Sequence, residues 1–140
     1  MAIFKRILVA TDGSPVSERL VLYVEHLARV ESAEIILLHA YEPPASYTDY
    51  TGYEQLVASY RAVAQAIVDD MSNALQEYGI SAGAELRIGP AADVILAAAV
   101  DLEIDLIVIG TPGKNSVREF LGGVSAQVLR HAHCPVLQVC

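Results

Sequence analysis

Two short stretches of this 140-residue chain gather residues suited to holding a phosphate. The longer reads Gly110-Thr111-Pro112-Gly113-Lys114-Asn115-Ser116 and is followed by Gly122-Gly123-Val124-Ser125. Glycines let a backbone approach an anion closely and reach positive φ. A helix beginning just after them aims amide N–H groups and a partial positive charge at the same place. Hydrogen bonds to charged groups contribute roughly 1.5–3 kcal/mol each, so three or four support micromolar binding. The second stretch is Thr11-Asp12-Gly13-Ser14. It follows a buried strand, as Gly110 does, and if those two strands are neighbours Asp12 and Gly110 face one crevice. Both stretches also have a plain reading: the glycines end a strand and start a helix, and Asp12 caps its own turn.

The common phosphate and nucleophile motifs are not met. A Walker loop needs glycine where Val108 stands, and Ser or Thr where Asn115 follows Lys114. No Gly-x-Gly-x-x-Gly follows the first strand, and Gly123-Val124-Ser125-Ala126-Gln127 lacks the second glycine of a nucleophile elbow. Lys114 and Arg118 read as solvated loop cations. His131, His133 and Cys134 do not share a helical face and have no fourth partner nearby, so they read as a surface pair and a buried thiol rather than a metal site. His39 ends an apolar run and reads as a hydrogen-bonded core or rim residue. Tyr41, Tyr47, Tyr50, Tyr53 and Tyr60 concentrate in one stretch, which suits a cover over a ligand or a partner surface. No general base is positioned beyond Asp12, so at most a slow hydrolysis is expected and no catalytic residue is assigned.

The elements that would position these loops alternate along the chain. Apolar runs at 6–10, 34–41, 105–109 and 135–139 read as strands, the first and third of these buried on both faces. Ala84 to Ile88 alternates with Glu85 and Arg87, which suits a half-exposed edge strand. Ser14-Pro15 starts a helix whose stripe is Val16, Leu20, Tyr23, Val24, Leu27 and Ala28. After a polar loop from Glu42 to Gly52, a long helix carries Leu56, Tyr60, Val63, Ile67, Met71, Leu75 and Tyr78, and Gly79 stops it. Gly89-Pro90 opens a third helix to about Leu102, and a last one ends near His131. Five strands alternating with four helices predict one α/β domain over residues 1–140, its parallel sheet joined by right-handed crossovers.

Composition bounds what such a domain does. The apolar fraction of 54% excludes a disordered chain. No apolar run is long enough to span a bilayer and no signal-peptide pattern is seen, so the expected location is the cytoplasm. A formal charge of −8 argues against nucleic acid while leaving room for one small anion held by backbone dipoles. Two cysteines make no disulfide framework.

The whole pattern resembles the universal stress protein family. The resemblance rests on Ile7-Leu-Val-Ala-Thr-Asp-Gly-Ser14, Leu37-Leu-His-Ala-Tyr-Glu-Pro43, Asp105-Leu-Ile-Val-Ile-Gly-Thr111 and Val124-Ser-Ala-Gln-Val-Leu-Arg-His-Ala-His-Cys-Pro-Val-Leu137. It implies a three-layer sandwich with strand order 3-2-1-4-5, which puts the first and fourth strands side by side. It also implies a cytoplasmic homodimer through the fifth strand, by Val136, Leu137 and Val139, with a role in stress response or signalling.

One branch of that family binds ATP through Gly-x-x-Gly, nine residues, then Gly followed by Ser or Thr. Gly110, Gly113 and Gly122 match this pattern, with Gly123, Val124 and Ser125 continuing the site. By the same resemblance Asp12 would hold the ribose–phosphate region, or a magnesium ion carried by the nucleotide. Ala10, Thr11, Ala40 and Ile109 would line adenine and ribose. Two departures stand out: only eight residues separate Gly113 from Gly122, and Gly123 replaces the hydroxyl residue. Those departures keep a second expectation open, a nucleotide-free dimeric interaction protein of the same family.

Overall fold

The computed structural model describes residues 2–11, 18–47, 49–111 and 123–140, with Thr11 and Tyr47 described by backbone alone. Buried Val, Ile and Leu runs form five strands: β1 (Arg6–Thr11), β2 (Glu34–Tyr41), β3 (Ala82–Ile88), β4 (Leu106–Gly110) and β5 (Val136–Val139). Between them lie α1 (Glu18–Glu31), α2 (Tyr53–Glu77), α3 (Ala91–Asp101) and α4 (Val124–His131). All neighbouring strands pair in parallel, in the order β3-β2-β1-β4-β5. The expected α/β class and strand order are therefore observed, and β3 is an edge strand.

Alternation along the central strands divides the core into two apolar layers, one on each face of the sheet. Ile7 and Val9 of β1 and Leu106 and Val108 of β4 pack with Leu20, Val24, Val68, Met71 and Leu75 of α1 and α2. Leu8, Ala10, Ile107 and Ile109 point the other way, into the layer of Ile95, Ala98 and Val128 from α3 and α4. In β1 and β4, Ile7, Leu8, Val9, Ala10, Ile107, Val108 and Ile109 are at most 1% exposed, whereas Leu106, at the start of β4, is 4% exposed. Burial on both faces explains why β1 and β4 read as unbroken apolar runs.

Three details differ from the sequence reading. The buried stripe of α2 is Ala64, Val68, Met71 and Leu75, whereas Val63 is 63% exposed and Tyr60 and Tyr78 also face outward. A long helix on a sheet buries the row that approaches closest, and the small Ala64 permits that approach where Tyr60 and Val63 lie on the flank. Tyr23 of α1 is exposed too, with the Arg19 guanidinium 5.7 Å from its ring centre. Strand β3 begins at Ala82, where Ala-Gly-Ala has no hydrophobic alternation to announce a strand. The stop of α2 is as expected: Gly79 adopts φ +79°, and its N–H donates to the Gln76 carbonyl at 2.9 Å. Ser14, Pro15 and Val16, read as the start of the first helix, lie outside the described residues.

Candidate ligand-binding crevice

The sheet order fixes where a ligand has room. The chain runs from β1 outward to β2 and β3, then crosses back to β4 on the other side of β1. Strand order thus reverses between β1 and β4, and α/β sheets of this kind accept ligands beyond the carboxyl ends of the strands at such a point. Here Ala10 pairs with Ile109 and Thr11 with Gly110. The two loops singled out in the sequence leave from neighbouring strand ends.

The structure places the candidate residues unequally. Ala10 and Ile109 sit in the α3/α4 layer at 1% and 0% exposure, so their side chains are taken up by the core. Ala40 is half-buried and packs against the same layer. Gly110 is buried at the end of β4, between Thr11 on one side and Val139 on the other. Gly123 is the N-cap of α4, with φ −65° and ψ −170°, and as a glycine it supplies no side-chain cap. Val124 and Ser125 follow it, both buried. Asp12, Gly113 and Gly122, together with Lys114 and Arg118, lie outside the described residues.

Two buried polar groups near this end of the sheet carry signals that sequence did not. Thr111 directly follows β4, is 8% exposed, and its Oγ1 has no hydrogen-bond partner. The only sequence hint was a hydroxyl residue placed directly after a fully buried strand. His39 of β2 is buried, and its Nδ1 also has no partner. The expectation of a core or rim residue is met, and the unpartnered ring atom is Nδ1. The ring lines a small cavity of about 10 Å³ with Val9, Leu37, Leu38, Ile67, Val68 and Met71. Burial there holds the imidazole below its ordinary pKa.

His39 also shares a row with the crevice. Ala10 pairs with Leu38, so the next step of the ladder sets Thr11 beside His39, with Leu86 beyond it. Neighbouring strands lie about 4.8 Å apart, which leaves His39 one strand from Thr11 and two from Gly110. The other candidate ligands are elsewhere. His131 and His133 are exposed, and Cys134 is half-buried, its thiol pushed up in pKa chiefly by burial. Among the described residues no group of three His, Cys, Asp or Glu side chains is placed to hold a metal ion, and no helix is long and apolar enough to cross a membrane.

An open five-stranded parallel sheet whose order reverses between its first and fourth strands, covered by helices on both faces, defines the class. The model of the universal stress protein family matches residues 3–139, and the chain belongs to that family. A universal stress protein of Thermus aquaticus is 34% identical over 138 residues, covering 97% of this chain and 98% of its own. Among solved structures, a universal stress protein in complex with cAMP is 24% identical with a TM-score of 0.77, covering 99% of each chain. The Archaeoglobus fulgidus universal stress protein in complex with dAMP is 20% identical with a TM-score of 0.72, covering 99% of each chain. At these identities the two structures bear on the fold.

Proposed function

We propose that this universal stress protein is a nucleotide-binding stress-response or signalling module that takes ATP at the β1/β4 crevice. The observation that carries the reading is the pairing of Thr11 with Gly110 at the switch point. That pairing sets side by side the two strand ends from which the candidate loops depart. The N-terminus of α4, whose N-cap Gly123 supplies no side chain, supports it, since a helix N-terminus favours an anion. So do the family members solved with cAMP and with dAMP, which hold adenine nucleotides on the same fold.

In this reading the backbone at Ala10, Thr11, Ala40 and Ile109 receives the base and ribose. Gly110, Gly113, Gly122 and Gly123, with Val124 and Ser125, receive the phosphates, and Asp12 meets a magnesium ion only through the nucleotide. Residues 1–140 act as one cytoplasmic domain, paired as a homodimer through the outer edge of β5, which among the described residues has no further neighbouring strand. The nucleotide biases the protein's shape only by its different affinity for two states.

Calorimetric titration of nucleotide-stripped protein with ATP and Mg²⁺, beside a Gly113→Val variant, tests the reading. Saturable binding that the variant lacks supports it. No binding at millimolar ATP overturns it in favour of the nucleotide-free interaction protein, the reading that Gly123 and the eight-residue spacing favour.

A further inference from the structure

Thr111 presents a hydroxyl that the fold buries and leaves without work. In a strand, a threonine hydroxyl ordinarily reaches a backbone carbonyl or water. Here the residue is 8% exposed and Oγ1 meets neither a donor nor an acceptor. Burying a polar group without a partner opposes folding, so such an atom in a native site calls for a partner that arrives later.

The backbone fixes the face of the sheet on which that side chain lies. Ile107 donates its N–H to the Pro135 carbonyl and Thr111 donates its N–H to the Val139 carbonyl, both at 3.0 Å. Residues 107, 109 and 111 therefore keep one phase along β5, and their side chains share a face. Ile107 and Ile109 lie in the apolar layer that also holds Val124 and Val128 of α4. Thr111 continues that row upward, on the side of the sheet where α4 begins.

Two independent features thus meet at one end of one face: a buried hydroxyl without a partner, and a helix N-terminus whose N-cap, Gly123, offers no side chain. Position 123 is where the family's ATP-binding pattern has Ser or Thr. We propose that Thr111 is the hydroxyl donor of this site: its Oγ1–H binds a phosphate oxygen of the nucleotide at the N-terminus of α4, replacing the hydroxyl missing at position 123. The proposal rests on the nucleotide-binding reading above and assigns it a specific phosphate contact. Phosphate is the chemistry that fits, because the hydroxyl and the helix amides all donate.

The test compares wild type, Thr111→Val and Thr111→Ser by calorimetry with ATP–Mg²⁺ and with adenosine, and by thermal unfolding without ligand. Valine keeps the shape and removes the hydroxyl. The expected result is a ten- to hundredfold loss of ATP affinity in Thr111→Val, as for one hydrogen bond to a charged group. Adenosine binding stays within about threefold and Thr111→Ser restores ATP binding. Without ligand, Thr111→Val should unfold at the wild-type temperature or above it, since no hydrogen bond is lost. A hydroxyl with a purely structural role predicts the reverse, a lower unfolding temperature with unaltered ATP affinity. Equal ATP affinity in wild type and Thr111→Val overturns the proposal while leaving nucleotide binding intact. Wild-type protein that binds no ATP overturns both.

Discussion

The carboxylate of Asp105, one residue before β4, accepts the backbone N–H of Arg6, the first residue of β1, at 2.9 Å. The same oxygen accepts the Lys5 N–H at 2.7 Å, and Asp105 in turn donates its own N–H to the Arg6 carbonyl. This knot joins the amino ends of the two strands whose carboxyl ends, at Thr11 and Gly110, lie side by side. It sets their register from the bottom, five residues before the paired ends Thr11 and Gly110.

The knot has a pH signature. Hydrogen bonds from the Arg6 and Lys5 amides hold the Asp105 carboxyl below its ordinary pKa of 3.8. A carboxyl depressed in the folded state contributes stability above its unfolded pKa and loses it as pH falls through the folded one. Asp105→Asn should therefore lower the unfolding temperature by roughly 2–5 °C at neutral pH. The deficit should shrink steadily below about pH 4. An unfolding series from pH 7 to pH 2.5 checks this, and a deficit that persists at the acid end contradicts it.

His39 acts over a different range. Its pKa is lowered from 6.5 because burial disfavours the imidazolium, and the cavity it lines holds no charged side chain. Stability linked to His39 is fully present above the unfolded pKa and declines as pH falls through it toward the folded one. Wild type should lose stability between about pH 7 and pH 5 more steeply than His39→Gln does. Denaturant midpoints at half-unit pH steps measure the two slopes, and equal slopes would exclude His39 as the source.

The stripe assignment of α2 is open to a direct contrast. Leu75 has no exposure, whereas Val63 is 63% exposed. Leu75→Ala should cost about 2–5 kcal/mol by leaving a cavity. Val63→Ser should change stability by no more than about 0.5 kcal/mol, as surface changes generally do. Urea unfolding of both variants is sufficient, and comparable losses would mean that Val63 is covered in solution.

Gly89 joins β3 to α3 at φ +144°, where a side chain is strained. A Cβ built there comes 2.9 Å from Val94 Cγ2. Gly89→Ala should destabilise by roughly 1–3 kcal/mol. Adding Val94→Ala relieves the contact but not the backbone strain, so the double variant should recover part of the Gly89→Ala loss. Full recovery would put the whole cost in the contact.

How legible the fold was depended on how each element is buried. Strands β1 and β4 are covered on both faces, so Ile7 to Ala10 and Leu106 to Ile109 announced themselves as apolar runs. The start of β3 did not, since Ala82 and Gly83 carry no pattern. Helix α2 was plain as a helix but misphased, because its apolar residues outnumber those the sheet covers and the small Ala64 gives no strong signal. Strand order came from family resemblance, as spacing alone does not choose between sheet topologies. Gly110 and Gly123 could be marked as candidates from residue type. The significance of Thr111 could not, because an absent hydrogen bond is a property of three-dimensional surroundings.

The tyrosines make one corner of this protein its own spectroscopic reporter. The sequence has no tryptophan, and Tyr41, Tyr47, Tyr50, Tyr53 and Tyr60 are five of its seven tyrosines. Tyr41 ends β2 and receives a hydrogen bond on its hydroxyl from Arg61 Nη1 at 3.2 Å, while Tyr53 and Tyr60 belong to the first turns of α2. Intrinsic emission and near-ultraviolet dichroism therefore report mainly on the junction of β2 with α2. Far-ultraviolet dichroism reports on the backbone of every strand and helix. Superimposable melting curves from the two would mean that this corner and the rest of the sheet unfold as one unit, whereas an earlier optical transition would mark the junction as a separately opening part.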